Sequence, residues 1–146
     1  MIASQWGKTP RESVLEECRQ RGTKNVVSRC EAILRGEVVD ESTLIALAGP
    51  SAEAVIEGRE GGLEGYWPRV WAMRGFLYAW NETAITVVLD GATDEHWRVR
   101  EMSAKVVARH QVTDAFESME RLRGDPVPRV RAAADRALSR LLEFGV

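Results

Sequence analysis

The sequence predicts an all-α fold of stacked antiparallel helix pairs, and three observations predict it. The stretch "DEHWRVREMSAKVVARH" at 94–110 recurs thirty-one residues later as "DPVPRVRAAADRALSRL" at 125–141, and a weaker copy, "PRVWAMRGFLYAW", lies at 68–80. Apolar residues in all three copies follow the spacing i, i+3, i+7, i+8, which is one stripe of an α-helix and not the alternation of a strand. A further amphipathic segment precedes each copy. A repeat period near 30 residues without strand signals is typical of stacked helix pairs.

The second helix of each pair, helix B, has its register set by an Arg-Val dipeptide. We expect Val99 and Val130 to be buried and Arg98 and Arg129 to be exposed. Proline fits the first turn of a helix, where no N–H bond is lost, and Pro68 and Pro128 stand at that point. The apolar stripe runs through Val70, Met73, Leu77 and Tyr78, then Val99, Met102, Val106 and Val107, then Val130, Ala133, Ala137 and Leu138.

The first helix of each pair, helix A, is predicted at 51–60, 81–92 and 113–124. Ser51, Asn81 and Thr113 are expected to cap these helices, because their side-chain oxygens can accept from N–H groups of the first turn.

The turns between helices A and B contain a repeated Asp and a repeated Arg. Asp94 and Asp125 are expected to close these turns. Arg100 and Arg131 are expected to reach turn carbonyls or carboxylates of neighbouring repeats. One helix pair cannot bury its own apolar stripe, so stacking of pairs explains the repetition.

The N-terminal part also reads as helical. Thr9, Pro10 and Glu12 have the form of a capping box, and Gly22 is expected to end the helix that follows. Further helices are predicted at 23–36 and 41–49. We therefore expect one domain over 1–146, with capping helices over 10–50 packed on the first of three repeats over 51–146.

The repeated stretches resemble the HEAT-repeat proteins, of the short-repeat type found in phycobilisome lyase-like proteins. The rhythm D-x-x-x-x-V-R-x-x-A-x-x-A-L carries the resemblance, which covers about 95 of the 146 residues. It implies a right-handed α-solenoid, and such repeats mostly serve as binding scaffolds. The first copy departs from the pattern, since Trp71 stands where the others have Arg100 and Arg131, and no Asp lies six positions earlier.

Composition indicates an ordinary soluble protein. The net charge of −2 favours neither nucleic acid nor membrane, although residues 97–146 carry ten basic and seven acidic side chains. No apolar run is long enough to span a bilayer, and the start has no secretory signal. Cys18 and Cys30 match no zinc or redox spacing, so we expect packing thiols and a cytoplasmic location.

No motif for catalysis, metal or cofactor binding is apparent. His96 and His110 belong to no recognisable ligand set, and the Gly-rich stretch at 58–65 follows no strand, as a phosphate cradle would. Some HEAT-like proteins excise alkylated DNA bases with Trp and an essential Asp, and this chain lacks a matching cluster. We expect a protein without catalytic activity and without a cofactor.

The B helices carry three columns of residues outside the apolar stripe. If the B helices line the concave side of the solenoid, these columns form a groove that runs from aromatic to basic, suited to an acidic protein segment. Alternatively, the N-terminal helices cover its aromatic end. The columns are Phe76, Lys105 and Arg136, then Trp80, Arg109 and Arg140, then Arg69, Arg98 and Arg129.

The sequence thus favours a scaffold or adaptor that binds a protein or peptide on the helix-B face. A nucleic-acid-binding protein that uses the same basic columns is one alternative, which the net charge of −2 disfavours. An enzyme component of the bilin lyase type, as the resemblance implies, is another.

Overall fold

The all-α prediction is confirmed. A computed structural model describes residues 7–37 and 40–143. Helices hold 71% of these residues, and strands are absent from them. The contacts divide the chain into two compact units, with the boundary in the sequence between Ala84 and Ile85, and each is described by itself. The prediction of one continuous domain over 1–146 stays a prediction.

The first unit contains five α-helices and one 3₁₀-helix among its described residues. They are α1 (Pro10–Arg21), α2 (Thr23–Leu34), α3 (Glu41–Ala48), α4 (Ser51–Ile56), α5 (Trp67–Gly75) and the 3₁₀-helix Glu82–Ala84.

The second unit contains four α-helices and one 3₁₀-helix among its described residues. They are α6 (Ile85–Gly91), α7 (Trp97–His110), the 3₁₀-helix Thr113–Ala115, α8 (Phe116–Leu122) and α9 (Pro128–Leu142). Helices α6 and α8 lie within the predicted A segments 81–92 and 113–124, and α7 and α9 correspond to the repeated B stretches.

Helix starts follow the predicted caps in part. The capping box is confirmed, because the Thr9 side chain accepts from the Glu12 amide and the Glu12 carboxylate accepts from the Thr9 amide. The Asn81 side chain accepts from the Thr83 amide at 2.9 Å. Ser51 and Thr113 were wrongly predicted as caps. Ser51 is the first residue of α4, Thr113 begins a 3₁₀ turn, and neither side chain makes a capping bond.

The first B helix is shorter than the predicted 68–80. Helix α5 ends at Gly75, and the amides of Phe76 and Leu77 bond to carbonyls three residues back, in the manner of 3₁₀ turns. Glycine is a poor helix former, so the tightening begins where the helix is weakest. Leu77 and Tyr78, predicted in the apolar stripe, are consequently only half-buried.

The core of the first unit forms where α2 and α3 pack on α5, the first B helix. A Cβ added at Gly75 would lie 3.0 Å from Leu47 Cδ2 and 3.1 Å from Cys30 Sγ, so this glycine permits the close approach of all three helices. Met73 and Phe76 are completely buried beside it. Helices α2 and α3 thus pack on α5 within this unit, and their role as a cap of a repeat array stays a prediction.

The core of the second unit forms chiefly between α7 and α9. Val99 and Val130 are both completely buried, as predicted from the Arg-Val register. Met119 of α8 and Leu141 of α9 are buried with them. The Ser103 hydroxyl, also buried, donates to the Val88 carbonyl at 2.8 Å and ties α7 to α6.

The two A-to-B turns of the second unit are built alike, as the repeat predicts. Asp94 Oδ1 accepts from the His96 amide at 2.8 Å, and Asp125 Oδ1 accepts from the Val127 amide at 2.9 Å. Arg100 Nη1 donates to the Asp94 carbonyl at 2.9 Å.

The matching arginine of α9 makes the matching bond, since Arg131 Nη1 donates to the Asp125 carbonyl at 2.6 Å. Arg100 additionally holds the Asp125 carboxylate through Nε at 2.7 Å and Nη2 at 3.2 Å. The repeated Asp and Arg residues therefore close each turn and join one turn to the next.

Candidate functional site

The eight predicted binding residues are divided between the two units. Phe76 and Trp80 lie in the first unit, and the six basic residues lie on α7 and α9 of the second. Phe76 is 0% exposed, so its assignment to a binding surface was wrong. It follows the shortened helix α5 and turns into the core, with its ring edge-on to Trp80 at 6.2 Å. Trp80 is half-buried.

Arg69, the remaining member of the predicted columns, is half-buried in the first unit. Its Nη1 donates to the Gly65 carbonyl at 3.3 Å. This arginine therefore serves the long turn that precedes α5.

Six basic side chains occupy equivalent positions on α7 and α9. The spacing of seven and then four residues places each set of three along one edge of its helix, beside the buried stripe. We call this surface the basic face. It consists of Arg98, Lys105 and Arg109 on α7 and Arg129, Arg136 and Arg140 on α9.

Helices α7 and α9 run in the same direction, which aligns the two sets. Near their starts, Arg129 Nε of α9 reaches Glu101 Oε2 of α7 at 3.0 Å. Near their ends, the Gln111 side chain donates to the Arg140 carbonyl at 3.2 Å. Packed helices lie roughly 8–10 Å apart, so equivalent cations on the two helices lie near one another.

Glu101 is the carboxylate among these cations. It is buried, and it also lies 3.9 Å from Lys105 Nζ. The Glu101 side chain is only 10% exposed, so water screens the attraction of its carboxylate for the two cations less than it would at an open surface. Arg129 nevertheless remains 65% exposed, so its guanidinium can still meet a ligand.

Trp97 adds an aromatic ring to the start of the basic face. The guanidinium carbon of Arg98 lies 4.5 Å from its ring centroid, and that of Arg129 lies 5.3 Å away. Cations are attracted to indole faces, which orders two long side chains. Sequence reasoning missed this residue, although its place directly before an Arg-Val dipeptide was visible.

The far end of the basic face is the most open to solvent. Arg109, Arg136 and Arg140 are all exposed. Arg140 lies 3.8 Å from Glu143, a loose pair at the surface. Pairs of this kind are worth at most about 1 kcal/mol, so an incoming anion can compete for Arg140.

His96 and the two cysteines have structural positions. His96 caps α7, where its Nδ1 accepts from the Arg98 amide at 3.2 Å. Cys30 is completely buried, and this burial raises the pKa of its thiol to about 12. Burial also raises the pKa of Cys18. Both thiols are therefore protonated at neutral pH and serve as packing groups.

Neither a metal site nor a membrane-spanning helix is found within residues 7–37 and 40–143. Over these ranges, no three His, Cys, Asp or Glu side chains are arranged to hold a metal ion. The helices described there are all too short or too polar to cross a lipid bilayer. Comparisons with protein-family models, with curated protein sequences and with solved structures found no match to this chain.

Proposed function

We propose that this chain is a non-enzymatic adaptor of the HEAT-like α-solenoid type, which binds an acidic segment of a partner protein on the basic face. A cytoplasmic location, which the two free cysteines favour, belongs to the same proposal. The observation that carries it is the alignment of six cations along two parallel, packed helices.

The solenoid part of the proposal is supported by the turns of the second unit. Asp94 and Asp125 make equivalent bonds in their turns, and Arg100 joins the first turn to the second. Stacked copies of one helix pair are expected to show this arrangement. Neighbouring repeats then present equivalent side chains side by side. A surface of this kind extends with the repeats and suits an extended ligand.

An acidic ligand is favoured by the types and positions of the side chains. Arginine dominates the basic face, and its planar fork holds carboxylates through paired hydrogen bonds. Within the basic face, Arg129 Nε already donates one hydrogen bond to a carboxylate, that of Glu101, at 3.0 Å. An extended acidic peptide would place its carboxylates along the same row.

Reversing three exposed charges tests the proposal. The triple variant Arg109→Glu, Arg136→Glu and Arg140→Glu should bind a fluorescein-labelled oligoglutamate peptide at least about tenfold more weakly than the unaltered protein, by fluorescence anisotropy at low salt. Each exposed attraction of up to about 1 kcal/mol becomes a repulsion, and about 1.4 kcal/mol corresponds to a factor of ten.

A control variant with the same change in net charge distinguishes the loss of the basic face from a change in the overall charge of the protein. Arg11, Arg19 and Lys24 are exposed basic residues of the first unit. Their replacement by Glu should leave peptide affinity within about threefold of the original, and circular dichroism should show both triple variants folded. Equal losses of affinity in the two variants would contradict the proposal.

Nucleic acid competes for the same cations, and the same assay distinguishes it. The net charge of −2 predicts weak binding of an oligonucleotide, because non-specific affinity depends on neutralised phosphates. If a single-stranded oligonucleotide bound more tightly than a peptide of equal charge, with a steep dependence on salt, nucleic-acid binding would replace the adaptor proposal.

A further inference from the structure

A cavity of about 320 Å³ opens on the first unit, beside the glycine-rich turn at 58–65. Two indoles form one wall, since the Trp67 and Trp71 rings lie 6.1 Å apart with their planes 23° from parallel. Pockets for small ligands measure about 300–1,000 Å³. We call this cavity the aromatic slot. Its lining residues are Ser51, Ala54, Val55, Glu60, Trp67 and Trp71.

Glu60 gives the aromatic slot its charge. It is exposed and has a φ of 56°, in the left-handed region that few residues other than glycine adopt. The neighbouring cation, Arg59, is held by Glu57 at 2.6 Å. Among the described residues, Glu60 has no ion-pair partner within 4 Å, so its carboxylate can attract a cation at the slot.

Trp71, which is 6% exposed, marks a departure from the repeat, and the hydrogen bonds of the turn do not require an arginine at its position. The aligned residues Arg100 and Arg131 each donate to a carbonyl of the turn before their helix. In the first copy, the carbonyl of Gly65 instead accepts from Arg69 at 3.3 Å. The turn therefore has its donor without residue 71, and Trp71 contributes an aromatic wall in place of a guanidinium.

We infer that the aromatic slot binds an alkylated ammonium group. Indole faces attract cations, and a nearby carboxylate adds to that attraction. The lining offers few acceptors besides Glu60 and the Ser51 hydroxyl. A cation that carries N–H donors would leave several of them without partners on burial, whereas a trimethylammonium group has none to satisfy.

An NMR titration of the full chain tests this inference. Choline should shift the indole N–H signals of Trp67 and Trp71 with a saturable dependence on concentration, and Trp67→Phe and Trp71→Phe identify these among the five indole signals. The neutral isostere 3,3-dimethylbutan-1-ol should bind at least about fivefold more weakly. Equal affinity for choline and its isostere, or shifts that never saturate, would overturn the inference.

Two matched substitutions test the carboxylate without altering the walls. Glu60→Gln should weaken choline binding about threefold to fivefold, which is the scale of one exposed charge interaction. Glu64→Gln removes the same charge from the same exposed turn at a residue outside the slot, and it should leave the affinity unchanged. Identical affinities in the two variants would remove Glu60 from the site.

Free alkylammonium compounds and methylated lysine side chains both carry an alkylated ammonium group, so either could be the source of the ligand. A trimethyllysine peptide and its unmethylated counterpart, titrated in the same way, distinguish the two sources. Binding of the methylated peptide alone points to a modified protein as ligand, and binding of choline without either peptide points to a free small cation. The aromatic slot attracts the opposite charge to the basic face, and it does not depend on the proposed function.

Discussion

Val99→Asp should unfold most of the second unit. Val99 of α7 is completely buried, so the new carboxylate would enter the core without a partner. We expect the free energy of unfolding to fall by more than about 4 kcal/mol, because burying an unpaired charge is among the most destabilising of single substitutions. Urea unfolding followed by circular dichroism at 222 nm measures this loss, with a fall in Tm of at least about 10 °C.

Ala132→Asp is the matched control for that substitution. It introduces the same carboxylate into a B helix of the same unit at an exposed position. Its effect on stability should stay within about 0.5 kcal/mol. If both variants melted like the unaltered protein, Val99 would not lie in the core.

Asp125→Ala should cost about 3–5 kcal/mol, the second largest effect. The Asp125 side chain is 5% exposed, and it accepts two bonds from Arg100 and one from the Val127 amide. Its removal leaves the guanidinium of Arg100, itself 16% exposed, without its carboxylate. Thermal and urea unfolding of the variant measure the loss.

The control for Asp125→Ala is Asp135→Ala. Asp135 accepts from Arg123 at 3.1 Å, but the side chains are 63% and 61% exposed. Exposed pairs contribute at most about 1 kcal/mol, so this variant should stay close to the unaltered protein. Similar losses in the two variants would show that burial does not govern the strength of these pairs.

The contribution of Asp125 should also depend on pH. Burial acts to raise the pKa of Asp125, but the Arg100 hydrogen bond, the Val127 amide and the positive charges of Arg100 and Arg131 together hold it below its ordinary value. A lowered pKa stabilises the folded state above the ordinary value of 3.8, and this stability disappears as the pH falls through the folded-state pKa. The gap between the unaltered protein and Asp125→Ala should therefore narrow below about pH 4.

The sequence by itself determined the helical class, the register of the B helices and the chemistry of their turns. Periodic apolar spacing depends on local backbone geometry, which explains why Val99 and Val130 are both buried as expected. The bonds from Arg100 and Arg131 to the Asp94 and Asp125 carbonyls span six positions along the chain, so they could be predicted without the fold. Thr9 and Asn81 were predictable as caps for the same reason.

Only the tertiary structure decided which surface residues lie together and which are buried. Phe76 aligned with Lys105 and Arg136 in the sequence, yet it turns into the core because α5 ends early at Gly75, which packs closely against Leu47 and Cys30.

The cation–π contact of Trp97 with Arg129 and the pairing of Arg129 with Glu101 join two helices across many residues of sequence. The aromatic slot similarly combines α4, a turn and α5. Contacts of this kind depend on how helices pack, and periodicity along one helix carries no information about the side chains of its neighbour.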